Sequence, residues 1–305
     1  MRAYLTNLLD SLRDEGFSRL YTLTPPGIAL GSATKQLSLP PSFPLLGKEE
    51  ERLGDKVVLL PIGHTEQHGY HLPLSTDTVI VDAIAQGVVE AIPAQAVRLP
   101  VMPYGVSMHR SAFAGTMNAG GRAFEDFWVG VIDVLIARGF DRFYFLNGHG
   151  GNGSFLVNVV KYAGERHPHA FCATAFLYLS GPPGIAALEK HRRSPIGGIG
   201  HACELETSLM LHLRPDTVHM ERVVDEMDFI STPNYYMDWI EGGALIANPP
   251  WEDDTRTGAY GAGSLATAEH GKIWLEAAIA EKVSHVLEIQ AQHARRQARR
   301  ATHDI

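Results

Sequence analysis

Short apolar runs alternate with stretches of helical apolar spacing through most of the chain. KVVLLPIG (56–63) is a β-branched run closed by Pro61 and Gly63, which predicts a buried strand. DTVIVDAIAQGVVEAI (77–92) repeats its apolar residues three and four apart, the spacing of an amphipathic helix. AVRLPVMPYG (96–105) predicts a second strand, and RAFEDFWVGVIDVLIARGF (122–140) a helix with Gly139 suited to its C-terminal cap. RFYFLNGHGGNG (142–153) reads as a third strand running into a glycine loop. A helix over 154–167, a fourth strand over 169–179 and a helix over 203–213 follow. Residues 214–262 read as a long irregular excursion, and 266–300 as a closing helix.

Before this body, leucines 5, 8, 9, 12 and 20 fall near helical spacing and predict a helix over 1–22. Residues 23–54, rich in Pro, Gly and Ser and then charged, predict an irregular connector. The expected organisation is an N-terminal extension over 1–54 and one domain over 55–305. Alternating strands and helices predict an α/β fold with a mostly parallel sheet covered on both faces.

In open parallel sheets, sites form beyond the carboxyl ends of the strands. Two strands here end in segments of unusual chemistry, GHTEQHGYHLPLSTD (63–77) and NGHGGN (147–152). In extended chain Glu66 and His68 share a face, and carboxylate with imidazole suits zinc, manganese or iron. Asp77, at the start of the following helix, is either an N-cap or a carboxylate whose two oxygens bridge two metals around an activated water. His149 stands among Gly148, Gly150 and Gly151, which let backbone approach a ligand closely. GHACELET (200–207) adds His201, Glu204 and Glu206. Each of these residues alone fits an ordinary surface, capping or core role. Several metal-competent residues after two strands at one sheet edge point instead to a metal hydrolase.

Composition removes other classes. The 305-residue chain has a formal charge of −8, against the basic balance of a general nucleic-acid binder, and RRQARR (295–300) reads as the basic end of a helix. The two cysteines, Cys172 and Cys203, build no disulfide framework or cysteine zinc module and fit a reduced, cytoplasmic setting. The first residues lack a secretory pattern, and no apolar run has bilayer-spanning length. NGHGGN has no Lys-Ser/Thr ending, so a phosphate-binding loop is the weaker reading.

PIGHTEQHGYHLPLSTD resembles the signature of the creatininase family, roughly P-x-G-S-x-E-Q-H-G-x-H-L-P-x-x-T-D. NGHGGN, GHACELETSLML, and the segments Tyr104–His109 and Phe113–Thr116 resemble its further motifs, so the likeness runs from about residue 55 to 215. The resemblance implies a three-layer α/β/α fold, a two-metal centre (Zn, Mn or Fe) and homo-oligomers, commonly hexamers. By position, Glu66 and His149 would hold one metal, His68 the other, and Asp77 would bridge them. His201 matches the histidine that handles protons at the scissile bond, and Glu206 a glutamate close to the metals. Creatininase carries Tyr-Glu where this chain has Gly150 and Gly151, so the fifth ligand comes from elsewhere, with Glu206 the candidate, or is a water, or the second site is weak, and creatinine is disfavoured. Gly200, where creatininase carries Glu, points the same way. The NGHGGN form is more similar to the branch with formamide deformylases and the mycofactocin-associated peptidase.

The expected activity is hydrolysis of the C–N bond of an amide, lactam or formamide small molecule, with short-peptide hydrolysis as the alternative. A non-catalytic metal- or nucleotide-binding module is disfavoured, because Glu66, His68, Asp77, His149 and His201 are all present. Tyr104, Ser107, His109, Gly150 and Gly151 are the candidate substrate contacts, with Phe113 and the aromatics Tyr235, Tyr236, Trp239 and Trp251 beyond them.

Overall fold

The structure, a computed structural model, describes residues 53–239 and 242–303. The helix expected over 1–22, and all but the end of the connector over 23–54, lie outside these residues. Within them the order is β1 (Val57–Ile62), α1 (Thr76–Ala91), β2 (Ala96–Arg98), α2 (Gly121–Ala137), β3 (Arg142–Asn147) and α3 (Gly153–Arg166). There follow β4 (Phe171–Thr174), α4 (Pro182–His191), β5 (Ile199–His201), α5 (Glu204–Leu213), β6 (Tyr260–Gly261) and α6 (Ala268–His303).

β1 to β4 form one parallel sheet in the order β2-β1-β3-β4. Side chains alternate across it with a period of two. Val57, Leu59, Tyr144 and Leu146 join the core that holds Ile80 and Ile84 of α1, Leu205 and Leu209 of α5, and Trp274 and Ala278 of α6. Phe145 turns the other way and meets Trp128 of α2 edge-on, the ring centroids 5.6 Å apart. With both faces covered, β1 is buried at every position, which is why its sequence is a continuous apolar run. The result is the expected three-layer α/β/α arrangement.

The second strand is shorter than its apolar run. Pro100 and Pro103 have no N–H to give to a ladder, so β2 stops at Arg98 and only Met102 returns, in a single bridge to Ile62. α4, β5 and β6 were not foreseen. β5 and β6 pair antiparallel beside the main sheet and are two or three residues long, too short to show a period. α4 opens with proline at its first turn. Its N-terminal amides are satisfied from outside: Glu281 of α6 accepts from Gly181 N at 2.9 Å and Gly184 N at 3.1 Å. Lys282 balances that buried carboxylate, its Nζ 2.6 Å away. Among the described residues no helix is long and apolar enough to cross a membrane.

α5 is buried from Glu204 to Met210, so α6 has to approach it closely. Gly271 makes this possible, since a Cβ there would lie 1.9 Å from the Ser208 carbonyl oxygen. Backbone on both sides leaves nothing soft to move. Gly271→Ala is expected to lower stability by about 1–3 kcal/mol, the usual cost of overpacking. Denaturant melts would show it as a lower midpoint with unchanged slope, and an unchanged midpoint would contradict the packing described.

Candidate metal centre

The loops that leave the carboxyl ends of β1 to β4 are tied together by the two asparagines of NGHGGN. Asn152 Oδ1 accepts from Val106 N at 2.9 Å, and its Nδ2 donates to Gly63 O at 3.3 Å. Asn147 Nδ2 donates to Phe176 O at 2.5 Å, while its Oδ1 accepts from His149 N at 3.2 Å. One motif thus fixes the loops after all four strands. The loop between β1 and α1 closes on itself, Glu66 N donating to Leu74 O at 3.1 Å. Glu66 and His68 point into one cluster from this loop, as expected of residues that share a face.

Three buried histidines share one arrangement. His149 Nε2 donates to Val106 O at 3.1 Å, His68 Nδ1 to Glu66 O at 3.1 Å, and His201 Nε2 to Gln67 O at 2.7 Å. A carbonyl only accepts, so each of these nitrogens carries a proton. The opposite nitrogen of each ring then faces carboxylates. His149 Nδ1 is 3.0 Å from Glu66 Oε1 and 3.2 Å from Asp77 Oδ2. His68 Nε2 is 3.1 Å from Asp77 Oδ1 and 3.9 Å from Glu206 Oε1. His201 Nδ1 is 3.7 Å from Glu66 Oε1. Asp77 sends one oxygen toward each of two imidazoles, the disposition expected of a bridging carboxylate. It lies in the first turn of α1 and makes no capping hydrogen bond, so the N-cap reading is set aside.

The carboxylates are aimed with equal economy. Ser107 Oγ donates to Glu66 Oε2 at 2.8 Å, leaving Oε1 to the cluster. Ala202 N donates to Glu206 Oε2 at 2.6 Å, leaving Oε1 to the cluster. This second bond needs Ala202 at φ +50°, a left-handed conformation a non-glycine residue rarely takes. A backbone outlier between a buried His201 and a buried Glu206 is strain held where the chain uses it.

Lone pairs of imidazole and carboxylate oxygens facing one another in a dry interior repel unless a cation stands between them. The donor set of nitrogen and oxygen atoms fits a divalent metal of the zinc, manganese or iron kind. Glu66, His68 and His201 offer ligand atoms within 4.8 Å of one another, as do His68, Asp77 and Glu206. Protons serve as the alternative positive charge. Burial pulls the pKa of His68 down, but the Asp77 charge and hydrogen bond overcome it and raise the value to about 9. His149, buried likewise, is raised to about 9 by Glu66 and Asp77. Burial raises Glu206 to about 7, with His68 opposing. Burial and the charges of Arg110 and His68 hold His201 well below its ordinary range, so it is neutral.

Sequence reasoning missed several residues here. Arg110 is buried, pairs through Nη1 with Glu66 Oε1, and lays its guanidinium 3.6 Å over the Trp251 ring. No motif spacing marked it. His64 stands where the family signature carries Ser; its ring stacks on His149 at 4.5 Å. Its Nδ1 accepts from Gly105 N at 2.9 Å, and burial lowers its pKa to about 4. Trp251 walls the site, with ring centroids 5.1 Å from His109 and 5.4 Å from His201. Trp239 packs on Tyr178 instead.

The expected substrate contacts divide. Ser107 and His109 lie at the cluster; Tyr104 is 39% exposed and shows no contact with it among the described residues. At Gly150 an added Cβ would meet nothing within 4 Å, whereas at Gly151 it would lie 2.2 Å from Val106 O and 2.5 Å from His149 Nε2. Gly151 therefore protects the anchor of His149.

The creatininase (creatinine amidohydrolase) family model matches residues 47–286, and the chain belongs to that family. It is 35% identical over 175 residues to a mycofactocin precursor peptide peptidase of Mycolicibacterium smegmatis, an alignment covering 55% of this chain and 62% of that protein. It is 31% identical over 188 residues to a creatinine amidohydrolase of Pseudomonas putida, covering 56% and 70% of the two chains. The alignment to the first relative thus spans under two thirds of that protein's length. Among solved structures, one titled "Creatininase Mn" superposes with a TM-score of 0.66 at 26% identity, covering 79% of this chain and 94% of that one.

The raised histidines give a pH dependence with a definite sign. In metal-free protein, a folded pKa near 9 against an ordinary 6.5 stabilises the fold fully below about pH 6.5. That contribution is lost as pH rises through about 9. The thermal midpoint of chelator-treated protein is expected to fall between pH 6.5 and 9, and saturating divalent metal to abolish the fall. A flat midpoint without metal would show that these histidines are not proton-paired.

Proposed function

We propose that this chain is a metal-dependent amidohydrolase that cleaves the C–N bond of a non-peptide amide, lactam or formamide. The observation that carries this reading is the trio of histidines held by main-chain carbonyls with their free nitrogens turned onto three buried carboxylates. Second partners of this kind fix the tautomer of histidines that bind metal or carry protons. Glu66 and His149 would hold one divalent cation and His68 a second, with Asp77 giving an oxygen to each. Glu206 would complete the second site in place of the side chain that Gly151 lacks. Two such cations supply Lewis acidity and lower the pKa of a bound water.

The other groups move and exclude. His201 is neutral and its Nε2 is committed to Gln67 O, so its Nδ1 is free to take a proton and deliver it to the leaving nitrogen. Trp251 closes the side of the site next to His201 and His109. The second reading, hydrolysis of a short peptide, draws support from likeness to the mycofactocin peptide peptidase and from the open space beside Gly150.

Elemental analysis of protein purified without chelator tests the scheme. Wild type is expected to hold two metal ions per chain and Glu206→Gln one. Glu66→Gln, Asp77→Asn and His149→Ala are expected to lose metal and turnover of a lactam, formamide and short-peptide panel together. His201→Ala should keep its metal and lose about 100-fold or more in kcat, the scale of general acid–base catalysis. Metal-free wild type after reconstitution would overturn the reading, and full activity in His201→Ala would remove the proton-transfer role.

A further inference from the structure

Among the described residues, two buried N–H donors beside Glu66 have no partner. His64 accepts the Gly105 amide on Nδ1, so its proton sits on Nε2, and that atom is buried without an acceptor. Arg110 places Nη1 on Glu66 and its face on Trp251, while its Nε is buried without an acceptor. Both belong to one strip. The His64 ring stacks on His149, His149 lies parallel to His109 at 6.5 Å, and His109 meets Trp251, on which Arg110 rests. Buried donors are almost always satisfied, so two unsatisfied ones in a candidate active site mark the place of an acceptor brought by a ligand.

Charge points to the kind of acceptor. Glu66 is the carboxylate paired with Arg110, and its Oε1 also faces His149 and His201. On the proposed two-cation reading, Glu66, Asp77 and Glu206 leave one positive charge uncompensated, and Arg110 adds a second. An anionic ligand balances this. Two unpaired donors call for a strong acceptor, and the planar guanidinium suits a carboxylate better than a tetrahedral phosphate.

We propose that His64 and Arg110 form a subsite for a carboxylate carried by the substrate, so that the substrate class is an amide bearing an acid group near the scissile carbonyl. The inference rests on the hydrolase reading for the reaction, but its test is a binding measurement that stands apart from turnover. Succinamate and succinamide differ only in carboxylate against amide. Titration calorimetry of both into metal-loaded full-length protein at pH 7 reads the preference directly. Wild type is expected to bind succinamate about tenfold or more tightly than succinamide, the scale of one hydrogen bond to a charged group. Arg110→Gln is expected to bring the ratio close to one, Arg110→Lys to restore part of it, and His64→Ser to reduce it.

A wild-type ratio near one overturns the subsite. So does a ratio that persists in both Arg110→Gln and His64→Ser, because the cations alone would then be selecting the anion. Metal content measured on the same samples keeps the two proposals apart. Loss of metal from Arg110→Gln would assign Arg110 to positioning Glu66 and overturn its part here, leaving His64→Ser to decide the rest. Wild type that takes up no metal would instead strike the hydrolase reading, and titrating both ligands into that metal-free protein would still decide the subsite, because the two donors belong to the chain itself.

Discussion

Three carboxylates and three imidazole lone pairs, all withdrawn from water, cannot face each other without positive charge among them. Much of the upper edge of this molecule is organised to hold that arrangement ready. Each histidine is turned by a hydrogen bond to a carbonyl, two of them within the loop that carries Glu66 and one in the loop after β2. Main-chain carbonyls cannot titrate or rotate away, so the inward direction of each ring is set by the backbone path. That path is in turn set by asparagines that join the loops of four strands. The parallel sheet beneath, buried on both faces, supplies a platform that does not yield.

The wall opposite the metal-competent residues is fastened differently. Trp251 sits in the excursion that reads as irregular, yet that segment is clamped at Glu226, whose carboxylate accepts from Arg256 N at 2.9 Å and Thr257 N at 3.0 Å. Gln67, in the middle of the first motif, donates to Gly258 O at 3.0 Å and so ties the wall to the metal loop. A glutamine in the signature thus has a mechanical part to play, while its neighbours on either side turn into the buried cluster.

What could be read from residues alone follows from how far each feature acts. β1, β3, α1, α2, α3 and α6 announce themselves because burial imposes either a continuous apolar run or a helical period over many positions. β5 and β6 do not, because two or three residues hold no period, and β2 is cut short by prolines inside an apolar run. Glu66, His68, Asp77, His149, His201 and Glu206 stood out as metal-competent types after strand ends, and the structure gathers all six. Arg110 and His64 were passed over because their importance lies in what they fail to bond, and unpaired donors leave no mark in a sequence. Tyr104 was chosen for its motif and turns out to face solvent.

Gly151 carries a consequence for how this family can diversify. By the resemblance of the motifs, creatininase would bear a glutamate at the matching position, whereas here any side chain would run into the Val106 carbonyl and the very nitrogen that anchors His149. The two ligand schemes are therefore not one substitution apart. A side chain at 151 requires the loop after β2 to shift with it, because Val106 O and His149 Nε2 occupy that space. The identity of residue 151 and the path of the loop after β2 are therefore coupled, and a change at either one alone disturbs the other.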